Sequence, residues 1–94
     1  MGAGKITTVQ VRITGLVQGV GFRATSKYVA DGFDVSGWVR NEPDGSVAME
    51  VQGGKDDVEA FLNALHDRMK DNISSSQAMD MPPVDCERGF VIRR

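Results

Sequence analysis

The order of hydrophobic periodicities along the chain is the feature that most constrains its fold. Residues 6–14 alternate apolar and polar side chains, as a half-buried strand does. Apolar or small side chains then recur at helical spacing from residue 22 to about residue 32. Residues 36–41 and 46–52 have the composition of strands, and the letters "EPDG" between them suit a tight turn. The first half is therefore predicted to be a strand, a helix and a strand hairpin.

The second half of the chain completes a recognisable order of elements. Residues 56–69 carry one apolar stripe, with acidic residues in the first turn and basic residues in the last, so they predict a helix. Residues 73–81 could be a strand, although their alternation is poor, and residues 89–93 are a better strand. The order β-α-β-β-α-β with an extra C-terminal strand predicts an α+β, ferredoxin-like split β-α-β sandwich. Its sheet is expected to be antiparallel, with both helices on one face.

Length and composition limit the possible partners. The chain has 94 residues, which suits one domain over residues 6–94 behind a disordered tail at 1–5. A net charge of −2 argues against nucleic acid as a partner, and no apolar run is long enough to span a membrane. The single cysteine, Cys86, cannot form an internal disulfide or a cysteine-built metal site. We therefore expect a cytoplasmic protein with neither a nucleic acid nor a membrane as partner.

The stretch "VQGVGFR" lies between the first strand and the first helix and breaks a local rule. Helix N-termini favour acidic or hydroxyl side chains because their dipole is positive there, yet an arginine stands here. A glycine-rich turn before a helix can aim successive N–H groups at one anion, and arginine binds phosphate oxygens in a bidentate manner. The stretch predicts a phosphate cradle; the alternative is a plain tight turn followed by a solvent-facing arginine. The predicted cradle residues are Val17, Gln18, Gly19, Val20, Gly21, Phe22 and Arg23.

Two other motifs overlap the same stretch, and we rank both below the cradle. The letters "GVGFRA" match a G-x-G-x-x-A dinucleotide fingerprint, but the chain is too short for a doubly wound domain and its next strand leads into a hairpin. The letters "GVGF" resemble part of the aromatic RNA-binding motif, which belongs within a strand, whereas here they lie in a predicted loop of an acidic chain.

Two longer segments resemble a known family. Residues 13–23, "ITGLVQGVGFR", and residues 37–53, "GWVRNEPDGSVAMEVQG", closely resemble the two signature motifs of the acylphosphatase family. With the following helix and the closing "GFVIR", the resemblance covers nearly the whole chain. It implies a small enzyme that hydrolyses the carboxyl–phosphate anhydride of acyl phosphates without metal or other cofactor. It also implies that the cradle and Arg23 hold the phosphate and that Asn41 orients the attacking water.

The residue chemistry agrees with that implication. The leaving group of an acyl phosphate is a carboxylate of low pKa, so positioning and charge stabilisation can supply most of the rate. The only histidine, His66, falls in the middle of the second predicted helix, and we expect no catalytic role for it. The amide of Asn41 can donate and accept, which suits a bound water, although a turn-side asparagine is also common.

The expected partners follow from the same resemblance. They are a small acyl phosphate as substrate and inorganic phosphate as product and inhibitor, with the protein acting as a monomer. The alternative function is a catalytically idle domain of the same fold that binds a phosphorylated ligand or a protein partner.

One departure from the family pattern is Asp34, where glycine is usual, and we expect this residue to tolerate a left-handed backbone. Trp38 is expected in the core or as a lid over it.

Overall fold

The structure, a computed structural model, describes residues 6–85 and 88–94. The predicted tail at 1–5 and Cys86 lie outside the described residues. The fold is α+β and ferredoxin-like, which confirms the predicted class. The elements in chain order are β1 (Ile6–Gly15), α1 (Phe22–Ala30), β2 (Val35–Asn41), β3 (Val47–Gly54), α2 (Lys55–Met69), β4 (Ile73–Met81) and β5 (Phe90–Ile92).

The five strands form one sheet in the order β4-β1-β3-β2-β5. The pairs β4–β1, β1–β3 and β3–β2 are antiparallel, but β5 lies parallel to β2. The prediction of an antiparallel sheet is therefore wrong at this edge. The reason lies in the described residues between β4 and β5, which contact the sheet end where β2 begins: the backbone N–H of Val84 donates to Gln52 Oε1 at 2.9 Å, and that of Gly89 donates to Ser36 Oγ at 3.3 Å. A chain delivered to that end must run in the same direction as β2.

One face of the sheet carries the core, and both helices cover it, as predicted. On that face the β1 residues Val9, Val11 and Ile13 stand opposite residues of β3, and all are buried. Helix α1 packs over β2 and β5, while α2 packs mainly over β3 and also contacts β1 and β2. The Phe61 ring of α2 joins the layers, with its centroid 5.4 Å from that of Phe90. The buried apolar stripe of α2 consists of Val58, Phe61, Leu65 and Met69.

The exposed edge strand β4 explains the weak sequence pattern over residues 73–81. The strand has the predicted bounds, yet seven of its nine residues are exposed. It pairs only with β1, at the edge of the sheet, and its successive side chains are exposed on both faces. Apolar alternation arises where one face of a strand is buried, and at β4 that requirement is absent.

Three local expectations differ from the structure. Helix α1 ends at Ala30 and not near residue 32, because the Gly32 N–H turns back to the carbonyl of Val29 at 3.0 Å. Asp34 is not left-handed, since no described residue other than glycine has a positive φ. Trp38 is half-buried outside the core: it alternates with the buried Val39 and lies on the uncovered face of the sheet.

Candidate active site

A cavity of about 510 Å³ opens at the end of the sheet where β1 and β2 finish and α1 begins. It collects residues that are far apart in the sequence. Five of the predicted cradle residues line it together with Asn41, and two residues at the end of the chain complete it. The lining residues are Val17, Gly19, Gly21, Phe22, Arg23, Ala24, Asn41, Ile92 and Arg94.

Two glycines give the loop before α1 its shape. Gly19 and Gly21 both have φ of 76°, and a Cβ added at either position would meet nothing within 4 Å. The requirement for glycine is therefore the left-handed backbone and not a lack of space. Gly21 caps α1 without any side-chain hydrogen bond, and the first turn contains no acidic residue. The positive end of the helix thus faces the cavity without a side-chain cap.

The start of the loop is held by the turn that follows α2. The backbone N–H of Leu16 donates to the carbonyl of Asn72 at 2.8 Å, and Asn72 Nδ2 donates to the carbonyl of Leu16 at 3.1 Å. A Cβ at Gly15 would lie 2.3 Å from that same Asn72 oxygen. Gly15 therefore serves a close backbone approach, and the loop enters the site from a fixed point.

Gln18 and Val20 do not line the cavity, unlike the other predicted cradle residues. The half-buried Gln18 points to the β2–β3 hairpin, where its Nε2 donates to the carbonyls of Glu42 and Ser46, each at 2.8 Å. Val20 is 45% exposed. Gln18 thus ties the loop to the hairpin that follows Asn41.

The hairpin turn is itself fixed by hydrogen bonds. The Glu42 N–H donates to the Ser46 carbonyl at 2.9 Å, and Gly45 adopts the positive φ, 92°, that the turn requires. Asp44 Oδ1 accepts from Ser46 Oγ at 2.6 Å and from Ser46 N at 3.0 Å, while Arg12 donates to the other carboxylate oxygen. These hydrogen bonds from Ser46, with the positive charge of Arg12, hold the pKa of Asp44 below its ordinary value of 3.8. The turn beyond Asn41 is therefore anchored by an ionised carboxylate at neutral pH.

Asn41 is the last residue of β2 and carries an unused acceptor. It pairs with the buried Val47 of β3, and its half-buried side chain lines the cavity. Its Oδ1 is buried and has no hydrogen-bond partner among the described residues. A buried polar atom without a partner is unfavourable, typically by about 1–3 kcal/mol. Asn41 therefore carries an acceptor that no described group satisfies, on a residue that lines the cavity.

Two arginines make the cavity cationic. Arg23 is the second residue of α1, is half-buried, and makes no ion pair with a described carboxylate. Arg94 follows β5, and it too forms no such pair. No lining residue is acidic. The sequence analysis missed Arg94, although the alternation after Phe90 and Ile92 indicates that it shares their face of the sheet.

His66 and the acidic residues of α2 lie outside the cavity. His66 Nε2 is 2.8 Å from Ser76 Oγ, so the ring contacts β4, and Asp56 and Asp57 occupy the first turn of α2 as predicted. Within residues 6–85 and 88–94, no group of three or more His, Cys, Asp or Glu side chains could hold a metal ion. Over the same ranges no helix is long and apolar enough to cross a membrane.

The fold and the cavity together define a small α+β protein with a cationic site at the start of its first helix. The chain belongs to the acylphosphatase family, whose model matches residues 9–92. It is 41% identical over 95 residues to an acylphosphatase from Salinibacter ruber, with 100% of each chain covered, and 44% identical over 85 residues to one from Bifidobacterium longum, with 87% of each covered. The crystal structure of acylphosphatase from Bacillus subtilis superposes with a TM-score of 0.83 at 24% identity, covering 94% of this chain and 99% of that one. That structural likeness supports the fold.

Family membership makes the chain a hydrolase of acid anhydrides, as the sequence analysis predicted. It also implies a small-molecule acyl phosphate as substrate. The cavity suits such a substrate in its charge, since its lining residues include two arginines and none with an acidic side chain.

Proposed function

We propose that the enzyme cleaves acyl phosphates by positioning and charge stabilisation alone. In this proposal the loop 17–23 and Arg23 hold the phosphate, and Asn41 orients the attacking water. The observation that carries the proposal concerns Asn41, which lines the same cavity as Arg23 and whose buried Oδ1 has no hydrogen-bond partner among the described residues. An unsatisfied acceptor on a residue of a cavity that also contains a cationic side chain suits a water molecule held beside an anion.

The phosphate is bound where three attractive interactions act on the same oxygens. The N–H groups at the start of α1 donate to the phosphate oxygens, the helix dipole presents its positive end, and Arg23 adds two parallel hydrogen bonds. In phosphoryl transfer the transition state spreads negative charge over the equatorial oxygens. The same donors therefore stabilise the transition state, which raises kcat as well as binding.

The water is oriented by the side chain of Asn41. Its Oδ1 accepts a hydrogen bond from one O–H group of the water, which leaves a lone pair of the water oxygen free to attack phosphorus. The new P–O bond forms from the water oxygen while the bond from phosphorus to the acyl oxygen breaks, and that electron pair stays on the departing carboxylate. The carboxylate is stable without a proton at neutral pH, so the water's proton passes to a phosphate oxygen or to solvent. No general acid is required.

The wider setting of the enzyme forms part of the same proposal. It works without metal or other cofactor, and inorganic phosphate competes with substrate as the product that fits the cradle. We propose a monomer, because one copy of the chain buries its own core. A single cysteine is consistent with a reducing cytoplasm, and the net charge of −2 does not favour nucleic acid.

A direct assay tests this proposal. The purified protein is added to benzoyl phosphate, and hydrolysis is followed with and without a chelator in excess. We expect the same rate in both, well above the spontaneous rate measured with heat-inactivated protein. A rate that falls to the spontaneous level in the chelator would contradict metal independence, and no hydrolysis in either sample would favour the idle binding domain.

A further inference from the structure

The cavity contains a second arginine that the proposed chemistry does not use. Arg94 lines it together with Arg23, and neither pairs with a described carboxylate. The volume, about 510 Å³, lies within the range of small-molecule sites, about 300–1,000 Å³. The cavity therefore has room for the acyl part of a substrate as well as its phosphate.

The position of Arg94 is set by strand β5. The backbone N–H of Arg93 donates to the carbonyl of Val39 at 2.8 Å, which continues the pairing of β5 with β2 up to the edge of the cavity. The Arg93 guanidinium lies 5.1 Å from the Trp38 ring centroid, on the uncovered face of the sheet. Successive side chains of a strand alternate between faces, so Arg94 joins Ile92 at the cavity.

We propose that Arg94 recognises an anionic group on the acyl part of the substrate, so that the enzyme favours acyl phosphates of dicarboxylic acids. The inference rests on the proposed function, in which Arg23 and the loop amides hold the phosphate. Those groups already supply bidentate and backbone contacts to the phosphoryl oxygens. Arg94 comes from a different wall of the cavity and adds a second cation. The acyl group of a monocarboxylic acid is uncharged and offers that cation no partner. A second carboxylate on the substrate provides that partner.

Three substrates that differ only in a ring carboxylate test the proposal. Benzoyl phosphate has a neutral ring, whereas its meta- and para-carboxy derivatives carry a fixed anion that cannot reach back to attack the anhydride. The value of kcat/KM is measured for each substrate, and the ratio of charged to neutral substrate is compared between proteins. Because each ratio is taken on one protein, the intrinsic reactivity of each substrate cancels when variants are compared.

The variants are Arg94→Gln, Arg94→Glu and the neighbouring control Arg93→Gln. We expect Arg94→Gln to lower the selectivity ratio by about tenfold, the lower range for a charge-assisted hydrogen bond, because Arg94 is exposed. Arg94→Glu lowers the ratio further by like-charge repulsion, and Arg93→Gln leaves it at the wild-type value. In the wild-type protein the ratio falls with added salt, which screens an exposed ion pair.

Each contrary result is decisive. Equal losses on all substrates in Arg94→Gln would make Arg94 a phosphate ligand and overturn the proposal, as would an unchanged ratio. If Arg93→Gln lost as much selectivity as Arg94→Gln, the cause would be the general surface charge, and the proposal would be overturned as well. A wild-type ratio that does not respond to salt would count against the ion pair without any mutation. Failure of the wild-type protein to hydrolyse benzoyl phosphate would instead contradict the proposed function.

Discussion

The side-chain Nε2 of Gln18 lies 2.8 Å from the carbonyl oxygen of Ser46 and binds the loop before α1 to the β2–β3 hairpin. The same nitrogen donates to the carbonyl of Glu42, also at 2.8 Å. Asn41 stands directly before this hairpin turn. One side chain therefore links the loop that we propose to hold the phosphate to the hairpin that follows the residue that we propose to hold the water, in addition to the backbone pairing of the sheet.

Removing this link is expected to affect both stability and turnover. Gln18→Ala should lower the free energy of unfolding by about 1–2 kcal/mol, since two net hydrogen bonds are lost. It should also lower kcat, because catalysis by positioning is sensitive to small displacements. Chemical denaturation and an acyl phosphate assay measure the two effects. Gln77→Ala, on the exposed strand β4, is the matched control. A normal kcat in a destabilised Gln18→Ala protein would limit this residue to a structural role.

Arg23→Gln is expected to abolish measurable hydrolysis in a folded protein. The loss of one hydrogen-bond donor to the transition state lowers kcat by roughly 10²- to 10³-fold, and Arg23 also provides a positive charge. Without ligand the variant should be more stable by about 0.3–1 kcal/mol, because a cation at a helix N-terminus opposes the dipole. Arg68→Gln, which removes a guanidinium 5.0 Å from the Tyr28 ring, controls for charge. Near-normal turnover by folded Arg23→Gln would rule out the assigned role.

Inorganic phosphate should stabilise the folded protein. At ten times its dissociation constant, a ligand that binds only the folded state adds about 1.4 kcal/mol. Sulfate should act similarly because it offers the same tetrahedral oxygens, whereas chloride at matched ionic strength should not. Thermal melting in the three salts measures this difference. Equal shifts of the melting temperature in all three salts would indicate a general salt effect and contradict the proposed phosphate cradle.

Asn41→Ala should lower kcat and leave KM nearly unchanged. An interaction made mainly in the transition state has that signature. The variant must be shown to be folded by circular dichroism and still to bind phosphate before it is assayed across substrate concentrations. If Asn41 were only a turn residue of an idle binding domain, its substitution would change stability and leave kcat as it was.

Asn41→Asp tests the same residue at nearly constant shape. The variant keeps an acceptor for the water but loses both N–H donors and adds a negative charge in the cavity. We expect weaker phosphate binding as well as slower turnover, because like charges at close range in a partly dry site repel strongly. Phosphate binding measured by titration separates the two variants: it should be retained in Asn41→Ala and reduced in Asn41→Asp.

The sequence predicts elements best where one face of an element is buried. The buried residues of β1 and the stripe of α2 follow their periods closely, so both elements were placed within a residue of their observed bounds. The predicted position of Trp38 is wrong because an aromatic residue in a strand suggests the core. Its alternation with Val39 places it on the uncovered face of the sheet. The direction of β5 also depends on where the preceding connection crosses the sheet, and no local pattern encodes that path.

The site was predicted in part for a similar reason. Gly19, Gly21 and Arg23 are adjacent in sequence, so their unusual combination is visible without a structure. The role of Gln18 depends on carbonyls more than twenty residues away, at Glu42 and Ser46. Contacts of that kind arise from the tertiary fold and leave no local signature.

The way in which the cavity is assembled has a consequence for folding. Its walls come from the loop after β1, the first turn of α1, the end of β2 and the end of β5 with Arg94, so the chain must complete the sheet before the whole cavity exists. The pairing of β2 with β5 joins residues more than fifty positions apart, a non-local contact of the kind that slows folding. A ligand that carries both a phosphate-like group for the loop and a carboxylate for Arg94 uses all of these walls, so it should bind only after the sheet is complete. In a refolding experiment, the binding of such a ligand would then report the arrival of β5 at the edge of the sheet, a step that helix-sensitive signals do not follow.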